Sequence, residues 1–412
     1  MRKLLYIDSS YTLSQFRARG LDHVLRIRFL DGYFDQVWSA HPVDAHPAVD
    51  PDIDPTGKPV FERLSGDHVF VRGRYGRFRV LARIAPLNAL FALVSFVIAL
   101  VALVRREKIT VIRSGDPLLC GLIGLIVSRL TSARLVVRIN GDHDMIRAST
   151  GAPIMPSLFR SGVIETRVER AVLKRADRVL APSRNYGDFA IRKGATAGRV
   201  VVIRYGNLID TRHLTEPAER DSPGDAALVE ALRSRPWMVH IGRLHPIKHA
   251  EDCYEVLREL VGQGRDAGLL LIGDGPLREI IAARAEAEEL SSRVLFLGNI
   301  EQGAIAQILP LCTLALSPLT GRALAEVAFA ALPIVAYDLD WQGEVVETEV
   351  TGFLVPPGDI EAMAHGAARL LADSALRATL GAEVRRRALD LLEPAEQTCR
   401  EIEAYRSLGV LE

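Results

Sequence analysis

The stretch Ser317-Pro-Leu-Thr-Gly-Arg-Ala-Leu-Ala-Glu-Val-Ala-Phe-Ala-Ala-Leu-Pro-Ile-Val-Ala-Tyr337 reads as a strand end, a glycine turn, a helix and a second strand. Leu314, Ala315 and Leu316 close the apolar run that leads into it. Pro318 and Gly321 punctuate the turn. Residues 323–331 are rich in helix formers, with Glu326 the only charge among them. Pro333 stops the helix, and residues 334–337 form a short apolar strand of the parallel-sheet type. Such a unit aims backbone N–H groups and the positive end of a helix dipole at one spot, which suits an anion. Glu326 falls about one turn into the helix. A surface glutamate on an ordinary connection fits the same residues, and this stretch alone leaves both readings open.

The totals narrow the class. The chain has 412 residues, 49% hydrophobic and 25% charged, enough for two or three domains of ordinary globular type. Lys plus Arg equals Asp plus Glu at 51 each, so overall charge gives no case for nucleic acid as a partner. Cys120, Cys253, Cys312 and Cys399 are far apart and form no C-x-x-C pair. That suits a reduced cytoplasmic compartment and argues against a zinc cluster. Residues 1–8 are too briefly apolar for a signal peptide and read as a strand.

Outward toward the N-terminus, short apolar runs alternate with helical patterns. Strands are expected at 4–7, 34–38, 69–71, 109–112, 133–139, 178–181 and 200–203, and residues 42–59, rich in Pro and Asp, as a surface loop. The first loop, Asp8-Ser-Ser-Tyr-Thr12, lacks the glycines of a dinucleotide site. Asn140-Gly-Asp-His-Asp144 follows a buried strand, where α/β sheets bind ligands; His143 is either a ligand contact there or a solvated loop histidine.

Residues 86–104 are apolar on every side and end in Arg105-Arg106. A transmembrane span is disfavoured, because both flanks look like strands of one sheet. Two readings stay open: a helix buried in the fold or a dimer, or a helix docked in one leaflet with Arg105, Arg106 and Lys108 at anionic headgroups. Leu90, Phe96 and Leu100 are the residues expected to meet lipid in the second case.

The predicted organisation is a first αβ domain over 1–207, a linker over 208–235, a second αβ domain over 236–392 and a closing helix from 393 onward. The fold class is α/β, with two doubly wound parallel sheets and an active cleft between them. Three loops of the second half carry chemistry. In Gly242-Arg-Leu-His-Pro-Ile-Lys248, Arg243 and Lys248 suit a diphosphate clamp that needs no metal, unless they are ordinary solvated charges. In Gly273-Asp-Gly-Pro276, Gly273 and Gly275 let the backbone approach a flat ligand or another loop. The third loop is the opening stretch, where Glu326 could accept both hydroxyls of a ribose.

These pieces resemble the nucleotide-sugar-binding domain of the retaining GT-B glycosyltransferases of family 4, the group 1 glycosyl transferases. The likeness is carried, in family order, by Gly242-Arg-Leu…Lys248, Ile272-Gly-Asp-Gly-Pro276, Phe296-Leu-Gly298, Ala325-Glu-Val-Ala-Phe-Ala-Ala-Leu-Pro-Ile-Val-Ala336 and Thr351-Gly-Phe-Leu-Val-Pro-Pro-Gly-Asp359. It extends more loosely to residues 169–183 and to Tyr205-Gly-Asn-Leu-Ile-Asp210. The resemblance implies two Rossmann-like domains facing a central cleft, with the last helix crossing back to the first domain. It implies that Arg243 and Lys248 hold the donor diphosphate, that Glu326 binds the ribose, and that Gly321, Arg322 and Ala323 approach the donor. His143 is similar to a first-domain histidine that reaches the donor sugar.

Two departures stand out. The family's E-x7-E motif has its first glutamate eight residues before the second, and here that position is Pro318. Thr320, Arg322 or a first-domain residue then has to contact the transferred sugar. The glycine-rich loop after the first strand is replaced by Asp8-Ser-Ser-Tyr-Thr12. The expected activity is retaining sugar transfer from a nucleoside-diphosphate sugar to a glycan or lipid-linked acceptor in envelope or surface polysaccharide synthesis. No metal cofactor is expected, and the expected location is cytoplasmic, at the inner face of the plasma membrane. The alternatives are a non-transferring nucleotide- or glycan-binding member, motivated by Pro318, and a GT-B sugar-nucleotide 2-epimerase.

Overall fold

The computed structural model describes residues 1–18, 22–45, 54–81 and 83–410. The chain divides into two compact units, Met1–Arg204 with Ala395–Glu412, and Tyr205–Pro394. The stretch 208–235, expected as a linker, belongs to the second unit: Arg220 donates to the carbonyls of Ala306 and Phe329, at 3.2 and 2.8 Å.

The first unit is built on eight strands: β1 Lys3–Ile7, β2 Gln36–Ala45, β3 Val60–Arg63, β4 His68–Arg74, β5 Val111–Ser114, β6 Arg134–Arg138, β7 Arg178–Ala181 and β8 Val200–Val202. Their order is β3-β4-β2-β1-β5-β6-β7-β8. All neighbours run parallel except the edge pair β3 and β4. The helices are α1 Leu13–Ala18, α2 Asp22–Arg26, α3 Ala85–Glu107, α4 Leu119–Thr131, α5 His143–Thr150, α6 Gly162–Arg175 and α7 Arg184–Arg192.

Two sequence expectations change here. The strand expected at 34–38 begins at Gln36 and runs on through Pro42 to Ala45. A proline lacks the ladder donor, so it belongs at an irregularity. The β2–β4 register does slip between His41 and Ala45. Gly73 opposite makes room for the bulge, since a Cβ there would lie 1.8 Å from the Pro42 carbonyl oxygen. The loop expected at 42–59 is therefore strand at its start, and its residues 46–53 lie outside the described residues. β3 is the second change, an exposed antiparallel edge strand whose Val60 and Phe61 face outward.

One face of this sheet is covered by α3, α4, α6 and α7, through Phe96, Leu100, Ile123, Val172 and Phe189. Phe96 and Leu100, expected to meet lipid, are thus core residues with no exposed surface.

The second unit holds six strands, all parallel: β9 Trp237–Ile241, β10 Gly268–Ile272, β11 Val294–Gly298, β12 Leu314–Ser317, β13 Ile334–Tyr337 and β14 Gly352–Val355. All residues of β9, β10, β12 and β13 are buried, as strands covered on both faces require. The covering helices are α8 Ala226–Arg233, α9 Ala250–Gly262, α10 Leu277–Ala287, α11 Gln302–Ile308, α12 Ala323–Phe329, α13 Gln342–Val345, α14 Ile360–Ala372 and α15 Ser374–Leu392. The order β11-β10-β9-β12-β13-β14 reverses direction between β9 and β12. Loops leaving these two strands part to opposite faces, which opens a crevice at their carboxyl ends.

The last helix, α16 Pro394–Arg406, returns to the first unit and lies against its other sheet face. Tyr405 is fully buried edge-on to Phe34, with ring centroids 5.1 Å apart, and Glu401 pairs with the buried Arg113 of β5.

Candidate active site

The crevice at the β9–β12 switch point is a cavity of about 420 Å³. Four strand ends feed it, through Ile241 to Arg243, Ile272 and Gly273, Gly298 to Ile300, and Thr320 with the start of α12. Three larger hollows, of about 450, 560 and 700 Å³, lie elsewhere on this unit. The first lies along α15, the second at the amino ends of β12 and β13 and the third against the edge strand β14, so none gathers the loops of the switch point.

Backbone contacts fix the loops. Gly242 N–H donates to Ile272 O at 2.9 Å, and Leu244 N–H to Asp274 O at 3.0 Å. Gly273 N–H reaches Gly298 O at 2.8 Å. Gly273 and Gly275 sit at φ +133° and +156°, where a Cβ would lie 2.0 Å from Gly242 O and 2.4 Å from Leu244 O. Their requirement is therefore loop against loop. Only Gly273 also borders the cavity.

The opening stretch contributes the polar wall. Glu326 is 2% exposed and lines the cavity. Burial pushes its carboxyl above the usual glutamate range, against the pull of Arg322 and with a further push from Asp210. Arg322 Nε lies 3.3 Å from Glu326 Oε1, so Arg322 is first a counter-ion to Glu326. Thr320 is buried, and its Oγ1 has no hydrogen-bond partner among the described residues. A buried hydroxyl left unpaired costs about 1–3 kcal/mol, which a ligand hydroxyl or phosphate oxygen would recover. Pro318 does not line the cavity; its carbonyl instead accepts from Gln342 Nε2 at 3.0 Å. Gly321, at φ +60°, makes the turn, and Ala323 lines the cavity at the head of α12.

Arg243 lines the cavity and is exposed, while Lys248 is not among the lining residues. Lys248 sits half-buried on the 3-10 turn Pro246–Lys248. Burial draws its amine below the ordinary lysine value, Asp340 opposes this, and the Arg243 charge adds to it. Its field also reaches the buried His240 of β9, which burial above all holds at about 4 and hence neutral. The two cations thus feel each other, yet only one stands on the wall.

Several lining groups escape the sequence reading. Tyr205, Leu208, Ile300 and Ile305 give the cavity an apolar side, and Asn299 and Gln302 a second polar one. Gln302 Oε1 accepts from Asp210 N–H at 3.0 Å, tying the 205–210 segment to α11. The signals for them were the looser family likeness of residues 205–210 and the position of residues 299–302 directly after a strand end.

His143 belongs to the first unit. It opens α5 behind its cap Asp142, is 7% exposed, and holds Glu169 Oε1 with Nδ1 at 2.5 Å. Glu169 Oε2 also receives Arg147 at 2.9 Å and lies 3.3 Å from Lys193 Nζ. Burial raises the Glu169 carboxyl, but the bonds from His143 and Arg147 outweigh it and hold it below the usual range. The imidazole is therefore a fixed ring in a buried ionic cluster, and a solvated loop histidine is ruled out. Among the described residues no group of three or more His, Cys, Asp or Glu side chains is placed to hold a metal ion.

Comparison with known proteins agrees with this architecture. Residues 235–373 match the family model described as glycosyl transferases group 1, and residues 13–206 match the glycosyl transferase 4-like domain. The alpha-D-kanosaminyltransferase of Streptomyces kanamyceticus is 28% identical over 264 residues, 61% of this chain and 65% of that protein. The N-acetyl-alpha-D-glucosaminyl L-malate synthase of Bacillus anthracis is 30% identical over 37% of this chain and 40% of its own length. The chain thus spans less than two thirds of these curated relatives. Among solved structures, Anabaena HepE in complex with UDP and glucose superposes with a TM-score of 0.71 at 18% identity, over 99% of this chain and 100% of that one. Sucrose-phosphate synthase from Thermosynechococcus elongatus gives 0.72 at 20% identity, with both chains covered in full. The two doubly wound sheets are those of the GT-B fold. The chain belongs to the group 1 glycosyl transferases.

Proposed function

We propose that the protein transfers a sugar from a nucleoside-diphosphate sugar to a glycan or lipid-linked acceptor with retention of anomeric configuration. The observation that carries the reading is the buried Glu326 carboxylate on the wall of a cavity rimmed by Arg243 and Arg322. A carboxylate there accepts two ribose hydroxyls, and the apolar side beside Tyr205 and Ile300 suits a base. HepE, a neighbour in fold, forms complexes with UDP and with UDP-glucose, which supports a uridine or related donor here.

In this reading the reaction builds negative charge on the leaving diphosphate. Groups that meet that charge more strongly than the ground state lower the barrier. Arg243 meets the diphosphate from the wall, and Lys248 adds its field from just behind. Burial draws the Lys248 amine below the ordinary lysine value, and an incoming diphosphate pushes it back up. No resident metal is part of this assignment. Thr320 lines the cavity, and its buried, partnerless Oγ1 takes over the sugar contact that Pro318 cannot make. The His143 ring, braced by Glu169, is the first-unit group assigned to the donor sugar.

Lys248→Ala tests the clamp. Turnover is expected to fall at least about a hundredfold, with little change in the KM for acceptor. A turnover number equal to wild type contradicts the assignment. Proton NMR of the product with matched donor checks retention through the configuration at the new anomeric carbon.

A further inference from the structure

α3 poses a problem that the first unit does not solve internally. It is long and apolar enough to cross a membrane, yet β4 and β5 on either side of it belong to one sheet. A spanning helix would place them on opposite sides of the bilayer, so α3 does not span. Its inward face is satisfied by the core through Ala92, Phe96, Leu100 and Leu103. Its outward face carries Leu87, Leu90, Phe91, Val94 and Ile98, each between 40% and 63% exposed. Their i, i+3/i+4 spacing makes one continuous stripe opposite the buried one. The neighbouring α4, tied to α3 by Arg105 donating to Leu130 O at 2.8 Å, adds the exposed Ile126 and Leu130.

Charge says what covers this face. α4 packs between α3 and α6. Arg105, Lys108, Arg129, Arg167, Arg170 and Arg175 on or beside the three helices are all exposed. No carboxylate of these helices is exposed with them. Glu107 is half-buried and paired with Lys3 and Arg106, while Glu165 and Glu169 are wholly buried among Arg147, Lys193 and His143. A chain of zero net charge therefore presents one face that is apolar along a helix and cationic around it. A second copy of the chain would bring like charges together across a two-fold contact. An anionic lipid surface meets both features.

We propose that the outward face of α3, α4 and α6 docks on an anionic phospholipid bilayer, with α3 lying in the plane of the interface. This inference stands whether or not the chain transfers sugar. The test is flotation of the full chain with vesicles of phosphatidylcholine alone and of phosphatidylcholine mixed with phosphatidylglycerol. Wild type is expected to float with the mixed vesicles at least about tenfold more than with phosphatidylcholine, and less so at high salt. A variant with Leu90→Asn, Val94→Asn and Ile98→Asn alters only exposed side chains and keeps the wild-type Tm. It should lose at least about tenfold in partitioning. Arg167→Glu with Arg170→Glu should lose binding to the anionic vesicles only. The proposal is overturned if wild type fails to float with anionic vesicles, if it binds both kinds equally, or if the triple variant floats as wild type does. A solution dimer that the triple variant splits would also overturn it, by assigning the face to a second copy.

Discussion

Glu326 is a charge placed where folding alone disfavours it. Its carboxyl titrates above the ordinary glutamate range because burial outweighs the nearby Arg322. The folded state therefore holds the proton more tightly than the unfolded state. The stability this brings is complete below the unfolded pKa and lost as pH rises through the raised folded value. At neutral pH the ionised group is a net cost, which suits a site kept for binding. Glu326→Gln is expected to raise Tm at neutral pH, an advantage that fades as the buffer is made acidic, and to weaken donor binding about tenfold or more. Thermal melts across pH, alongside donor titrations, check both; a variant less stable at neutral pH contradicts the account. The residue type and spacing made Glu326 legible before the fold was known. The partnerless Thr320 hydroxyl and the neutral His240 were not, because burial is a property of neighbours distant in sequence.

At the scale of elements, the strand–loop–helix units of the second domain could be read from short apolar runs and glycine turns. What Gly273 and Gly275 are for could not. A flat ligand and a neighbouring loop make the same demand for a missing Cβ, and the structure answers with the carbonyls of Gly242 and Leu244. Gly275→Ala is expected to cost about 3 kcal/mol, from the clash with Leu244 O and the φ of +156°. Gly262→Ala, near the end of α9 with nothing within 4 Å of the new Cβ, serves as the control and should be neutral or mildly stabilising. Urea unfolding measures both, and equal midpoints would contradict the loop-packing role. In the first domain the Pro42 bulge hid the length of β2, since proline in a sequence argues for loop until a partner strand accommodates it. α3 was legible as apolar throughout. Its burial was not, because an evenly apolar helix gives no period to say which side, with Phe96 and Leu100, turns inward.

For the whole molecule, two αβ halves were readable from alternation alone. The family order of motifs in the second half pointed to the group 1 glycosyl transferases, and the match of both halves to glycosyl transferase models agrees with it. The place of the last helix rests on a pair that no sequence period reveals. Arg113 and Glu401 are 288 residues apart and buried together. Removing one partner leaves the other charge uncompensated. Glu401→Ala should therefore destabilise the first unit by about 3–5 kcal/mol, whereas Arg113→Met with Glu401→Leu should recover most of the loss. A single variant as stable as wild type in urea would show that α16 is held by Tyr405 and its apolar neighbours alone.

In the proposed function the switch-point cavity of the second unit holds the nucleoside diphosphate of a sugar donor. Calorimetric titration of UDP, GDP and ADP into wild type, Arg243→Ala and Glu326→Gln tests it most directly. One of the three is expected to bind wild type, and each variant to bind it about tenfold more weakly or worse. Binding of none of them, or equal affinity in both variants and wild type, would contradict it.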